Sequence, residues 1–289
     1  MILILSTSTD QGCLDIHLLT TKLNGLPLAL AQAGAFIERT NVDVQTYIGL
    51  FEDKWSDLME KQGRFPLQEY AERSMLTTWM ISYEHVLQEN EIAASLMKLW
   101  PFFHHDDIWH GLISPSFYLA EVLRVHWLVH LVKNKIDFFD AMGMLAAYSL
   151  VEKGGPESYS MHPVLHKWCE QLSTPEEKPI LQRLSVAAIG FSNLGENSIE
   201  SWKEGRRSLS HVLHVSNRVL SWQYHDMEDD IMPICLFYCD GFGKLFSMQG
   251  KLREAEQMYQ RSLAEHEAKF GLDHPLTLNA VNSLGNLYF

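Results

Sequence analysis

Cys239-Asp240-Gly241-Phe242-Gly243-Lys244-Leu245-Phe246 is followed by Ala255-x3-Tyr259, Ser262 and Pro275, small and aromatic residues at the spacing of two paired helices. Sliding the C-terminal part against itself by 42 positions brings Gly243 onto Gly285, Leu245 onto Leu287, Phe246 onto Tyr288 and Phe242 onto Leu284. Self-similarity at a fixed period is the mark of stacked helical units. The residue types have a mechanical reason. Gly243 leaves room for a paired helix, Ala255 and Ser262 keep the approach tight, and Phe246 and Tyr259 fill the gap between the helices.

Upstream, helical periods continue. Pro27 suits a first helical turn, and the small-residue helix after it runs to Arg39. Asp43 is placed to cap the next helix, whose Val44, Tyr47, Ile48, Phe51, Trp55 and Leu58 share one face. Gly63 to Pro66 breaks the pattern. Met75, Trp79, Tyr83 and Val86 then form one stripe and Ile92, Leu96, Leu99 and Phe103 another. A helix around Phe138 to Ala147 leads to Tyr148-Ser149-Leu150-Val151, a Gly154-Gly155-Pro156 turn and Tyr159-Ser160-Met161-His162, which together predict a β-hairpin. Helices followed by a hairpin match the order of a winged helix, closed by a helix from Pro163 carrying Val164, Leu165, Trp168 and Leu172. Thr174-Pro175-Glu176-Glu177-Lys178-Pro179 reads as the clearest linker.

These readings give a mainly α chain in five parts: a tail over 1–14, a helical bundle over 15–65, a winged-helix-like domain over 66–172, a helical linker over 173–232 and repeats over 233–289. A chain of 289 residues suits two or three small domains. Its 23 basic and 36 acidic residues give a net charge of −13, a field that repels a phosphate backbone, so no nucleic acid is expected as a partner. Cys13, Cys169, Cys235 and Cys239 lack disulfide-framework spacing, and no leader is evident at Met1-Ile2-Leu3-Ile4-Leu5, so a cytoplasmic setting is expected. The most apolar internal stretch, 122–132, is interrupted by Arg124, His126 and His130, so no membrane segment is expected.

Catalytic motifs are not evident. Gly241-Phe242-Gly243-Lys244 fails as a phosphate loop, because Tyr238 stands at the first glycine position and Leu245 follows the lysine. His126 and His130 have zinc-ligand spacing, yet Trp127 occupies the general-base position. His104-His105-Asp106-Asp107 reads first as a helix cap and second as a weak metal site. Cys235 and Cys239 share a helical face with no second cysteine pair, and the sequence alone places no Ser/His/Asp set in space. No metal ligand and no catalytic residue are assigned.

The repeat pattern resembles the tetratricopeptide signature, with Cys239 in place of its Trp, and Phe270-Gly271-Leu272-Asp273-His274-Pro275-Leu276-Thr277 lengthens the unit in the manner of kinesin-light-chain repeats. Phe289 falls inside the first helix of a second unit, so one complete and one truncated repeat are expected. Two further motifs carry a wider resemblance. Gly25-Leu26-Pro27-Leu28-Ala29-Leu30, continued by Ala31-Gln32-Ala33-Gly34-Ala35-Phe36-Ile37, resembles the GLPL motif of NB-ARC nucleotide-switch proteins. Tyr159-Ser160-Met161-His162-Pro163-Val164-Leu165-His166-Lys167-Trp168 resembles their MHD motif, in the form found in fungal NB-ARC proteins with tetratricopeptide repeats. Pro163 replaces the motif's Asp.

In that family these domains follow a P-loop ATPase domain whose bound ADP holds the protein closed until exchange for ATP opens it. The resemblance implies that Pro27 packs by the adenine and that His162 contacts the ADP β-phosphate. No Walker A or Walker B sequence precedes Gly25, so this chain is expected to be non-enzymatic, a fragment with no tightly bound cofactor, ADP or ATP being implied only for a full-length relative. The expected role is a regulatory and protein-binding module of an NLR-like signalling protein. Its partners would be proteins bound through the repeats, or a second copy meeting the open repeat end. The alternatives are a free-standing tetratricopeptide adaptor and, behind it, a winged-helix DNA-binding regulator.

Overall fold

The computed structural model describes residues 10–60, 70–192, 199–221 and 232–288. The helices in chain order are α1 (Asp10–Lys22), α2 (Pro27–Thr40), α3 (Val44–Glu60), α4 (Tyr70–Glu89), α5 (Glu91–Leu99), α6 (His110–Ile113), α7 (Phe117–Val122), α8 (His126–Lys133), α9 (Lys135–Ala147), α10 (Pro163–Cys169), α11 (Glu177–Ser192), α12 (Ile199–Ser221), α13 (Met232–Met248), α14 (Leu252–Phe270) and α15 (Pro275–Leu287). Strands β1 (Glu152–Gly155) and β2 (Ser158–Ser160) make a two-stranded sheet, and 3₁₀ turns lie at Trp100–Phe102 and Ser114–Ser116. The expectation of a mainly α fold with one small hairpin is met.

The chain divides into two compact units. The first runs to Leu96 and includes 139–154 and 159–165; the second holds 97–138, 155–158 and the chain from His166 onward. In the first unit, α4 packs on α2 and α3. Helix α2 starts after Asn24 and Gly25, both at left-handed φ (54° and 65°), with Pro27 at the first turn where its missing N–H costs nothing. Its Ala29, Gln32, Ala33, Phe36 and Ile37 are buried at i, i+3, i+4 spacing. Gln32 is a polar residue in that stripe. Its amide accepts from Trp79 Nε1 and donates to the Ser149 carbonyl at 3.2 Å, tying α2 to α4 and to the turn after α9. Asp43 caps α3 as expected, its Oδ1 accepting from Thr46 N at 2.7 Å, and this N–H bond holds its carboxyl below the ordinary value. Tyr47, Ile48 and Phe51 form the buried face of α3.

In the second unit α11 is the hub, packing on α6, α12, α13 and the 3₁₀ turn at Ser114–Ser116. It buries Leu184, Val186, Ala187, Ala188 and Ile189, and the backbone at Gly190 comes so near Tyr238 that a Cβ there would lie 2.1 Å from the ring. The Thr174–Pro179 segment is a correction to the sequence reading. It is the capping box of α11: Thr174 N donates to Glu177 Oε2 at 2.9 Å while Glu177 N donates to Thr174 Oγ1 at 3.3 Å. A polar, proline-bearing run and a helix start share the same residue types, and T-x-x-E decides between them.

The hairpin is also shifted from its predicted register. Tyr148, Ser149 and Leu150 form the turn that ends α9, with Ser149 at φ 52°, and the first strand begins only at Glu152. The reversal is at Pro156-Glu157, not Gly154-Gly155, because Pro fixes the first turn position and Glu157 accepts the left-handed one at φ 58°. The tail boundary moves as well, since α1 starts at Asp10. Met1 to Leu5, the 65/66 boundary and the Gly63–Pro66 breaker lie outside the described residues, as do the side chains of Leu58 and Cys235. Among the described residues no helix is long and apolar enough to cross a membrane.

Candidate functional site

The C-terminal hairpin is built by α13, α14 and α15, with α14 packed against both neighbours. At the 42-residue offset Pro233, the second residue of α13, falls on Pro275, the first of α15, so the two helix starts differ by one position from that offset. Phe242, Phe246 and Ala255 are fully buried, as is Ser262, and Tyr259 nearly so. Gly243 faces Tyr259 so closely that a Cβ would lie 2.5 Å from the ring. Two buried Phe side chains are together worth about 4 kcal/mol, so this hairpin has a core of its own.

The loop into α15 is fully accounted for. Gly271, at φ 86°, donates its N–H to the Glu267 carbonyl and ends α14; His274 Nδ1 accepts from Leu276 N and starts α15; Thr277 Oγ1 donates back to the Gly271 carbonyl at 2.8 Å. His274 also stacks on Phe270, with ring centroids 4.6 Å apart. Pro275 is therefore a helix-start residue. The positions equivalent to Phe242, Gly243 and Phe246 are less covered: Leu284 and Gly285 are half-buried, a Cβ on Gly285 would meet nothing within 4 Å, and Tyr288 is 63% exposed, with its hydroxyl donating to Glu256 of α14. Leu278 and Val281 extend this exposed apolar surface along α15.

Inside the hairpin the fold brings together a Ser/His/Asp set that spacing did not reveal. Ser262 Oγ lies 3.1 Å from His266 Nδ1, and both act on Asp240. Burial pushes the Asp240 carboxyl up, only partly offset by the Ser262 hydroxyl and His266. Ser262 is completely buried, which withholds its oxygen from solvent.

A second polar centre surrounds Asp107. The cap reading of His104 to Asp107 is overturned: α6 begins three residues later, after Trp109, with no side-chain cap. Asp107 instead takes a left-handed φ of 56° and turns its carboxylate to the Arg207 guanidinium of α12, at 2.6 and 2.8 Å, and to Ser158 Oγ at 2.7 Å. Burial pushes this carboxyl up, but the Arg207 and Ser158 hydrogen bonds outweigh it and hold it below its ordinary value. Arg207 lies 3.9 Å over the Trp109 ring. Below it, His211 Nε2 is 3.0 Å from the Asp107 carbonyl while its Nδ1 accepts from His104 N at 3.2 Å. His166 Nε2 reaches the Trp100 and Phe103 carbonyls, and His214 Nε2 the Pro101 carbonyl at 3.0 Å. Burial pushes His166 and His211 down to about 4, so both rings are neutral at pH 7.

Pro27 and His162 are both exposed, and among the described residues no hydrogen bond joins them. His162 Nδ1 accepts from Val164 N at 3.3 Å, at the start of α10. His126 and His130 are exposed along α8, and Cys239 is a buried core thiol. The bonds that local spacing does not reveal, from Asp107 to Arg207 and His211 and from Gln32 to Ser149, span 100 or more positions in sequence, and no local pattern carries that signal.

No family model matches the chain, and no solved structure does. The chain is similar to a "Nucleotide-binding leucine-rich repeat (NLR)-like protein" of Hyaloscypha variabilis, 25% identical over 282 residues. The match takes in 93% of this chain and 26% of that relative, so the chain spans about a quarter of the relative's length.

Proposed function

We propose that this chain is a regulatory and protein-binding segment of an NLR-like signalling protein of the NB-ARC/tetratricopeptide type, and that it is itself non-catalytic. The observation that carries the reading is the contrast between the two copies of the packing motif. Phe242 and Phe246 are fully buried and Gly243 lies against Tyr259 of α14, while Leu284 and Gly285 are only half-buried, Gly285 meets nothing at its Cβ position, and Leu278, Val281 and Tyr288 are exposed. An array below ~3 repeats leaves such a face to be filled by another repeat, a protein partner or a second copy. Similarity to an NLR-like protein over 93% of the chain supports the signalling context. Nucleotide binding belongs, on this reading, to a full-length protein in which Pro27 and His162 would meet ADP; this sequence has no phosphate loop to hold it.

Sedimentation velocity over a concentration series tests the proposal. Association that rises with concentration and is abolished by Leu284→Glu with Tyr288→Glu is expected. A monomer at every concentration that also binds ADP near Kd ~10⁻⁶ M, about 8 kcal/mol, would mark a self-contained nucleotide switch and overturn it.

A further inference from the structure

The loop between the 3₁₀ turn at Trp100–Phe102 and α6 presents three donor side chains that no helix cap uses. We propose that His104, His105 and Asp106 bind one borderline divalent transition-metal ion of the zinc(II) class, which pins the loop on which α12 is seated. One ligand atom from each of the three lies within 4.8 Å of the other two. His105 Nδ1 is buried and makes no hydrogen bond, yet it sits 3.0 Å from Asp106 Oδ1. A lone-pair nitrogen and a carboxylate oxygen that close repel one another unless a cation is shared between them. With metal–nitrogen and metal–oxygen bonds of ~2.0–2.2 Å, two donors of a tetrahedral site stand about 3.3–3.6 Å apart, a little wider than this pair at 3.0 Å.

His104 supplies the third arm. Its ring stacks on His105 with centroids 4.2 Å apart, and its Nδ1 accepts only a long 3.3 Å bond from Asp106 N, which a metal ion would replace. The Nδ1–H tautomer of His105 is the competing partner for Asp106, but the geometry gives that nitrogen no hydrogen bond. It leaves His104 only its long bond from Asp106 N, whereas a shared ion engages all three donors at once. Three protein donors leave one position for water, the arrangement of an open site. Asp107, next along the chain, holds Arg207, and His104 N holds His211, so an ion here is felt at α12.

The test uses the full chain, stripped with chelator and then titrated with zinc(II) by calorimetry and with cobalt(II) by visible absorption. One ion per chain and a raised melting temperature are expected, with affinity falling at least about tenfold in both Asp106→Asn and His105→Asn. Asp106 is exposed, so Asp106→Asn decides the matter even where His105→Asn fails to fold. The control is His126→Gln with His130→Gln, which removes the other histidine pair at zinc-ligand spacing. No binding, binding that survives Asp106→Asn, or binding lost in the α8 control overturns the proposal.

Discussion

Gly243 of α13 lies against the ring of Tyr259 of α14, with 2.5 Å between the ring and the place a Cβ would take. Gly285, its equivalent 42 residues on, has nothing within 4 Å of that place. One substitution therefore has two opposite outcomes in one protein. Gly243→Ala forces Tyr259 from its site and is expected to cost about 1–3 kcal/mol. Gly285→Ala is expected to be neutral or to stabilise by up to ~1 kcal/mol, because alanine is the better helix former. Urea unfolding midpoints of the two variants measure the contrast, and Tyr259→Leu should restore part of the loss in Gly243→Ala and none elsewhere.

Asp107 and Arg207 form a bidentate pair, with both side chains about one-third exposed. Solvent screens such a pair, so a coupling of about 1 kcal/mol in a double-mutant cycle is the expected size. Arg207→Lys is expected to lose most of it, since lysine keeps the charge but neither the fork nor the stack on Trp109. Amide hydrogen exchange should locate the loosening in α12 and in the loop around Asp107, and equal protection in wild type and Arg207→Lys would show that charge alone suffices.

Thr174 and Glu177 show where sequence legibility ends. The apolar periods of α2, α3 and α4 are visible because burial repeats every three to four residues, and the C-terminal hairpin because one pattern occurs twice. Thr174-Pro175-Glu176-Glu177 carries two competing local signals, and composition alone favours a loop. The reciprocal cap predicts otherwise: Thr174→Ala is expected to cost about 1 kcal/mol, where a substitution in a true linker costs nothing measurable. The polar centre at Asp107 was illegible for a different reason. Asp107 reads locally as a helix cap, and only the meeting of Ser158, Arg207 and His211 around it gives it another role.

Asp240 supplies a pH dependence whose sign follows from its surroundings. Its Oδ1 is buried without a hydrogen-bond partner, and burial raises its carboxyl above the ordinary 3.8 despite Ser262 and His266. A carboxyl raised in the folded state favours folding while it is protonated. That contribution is full below the unfolded value and is lost as pH rises through the folded one. Once ionised, Asp240 is thus a liability to the α13–α14 hairpin, and Asp240→Asn is expected to stabilise the protein by about 1 kcal/mol wherever the wild-type group carries its charge. The gain should shrink as pH falls toward the ordinary carboxylate range, where the wild-type group carries its proton. Denaturant unfolding of both proteins from pH 4 to pH 8 follows the difference directly. A variant less stable than wild type at pH 7 would mean that the Ser262 and His266 contacts outweigh the burial of the charge.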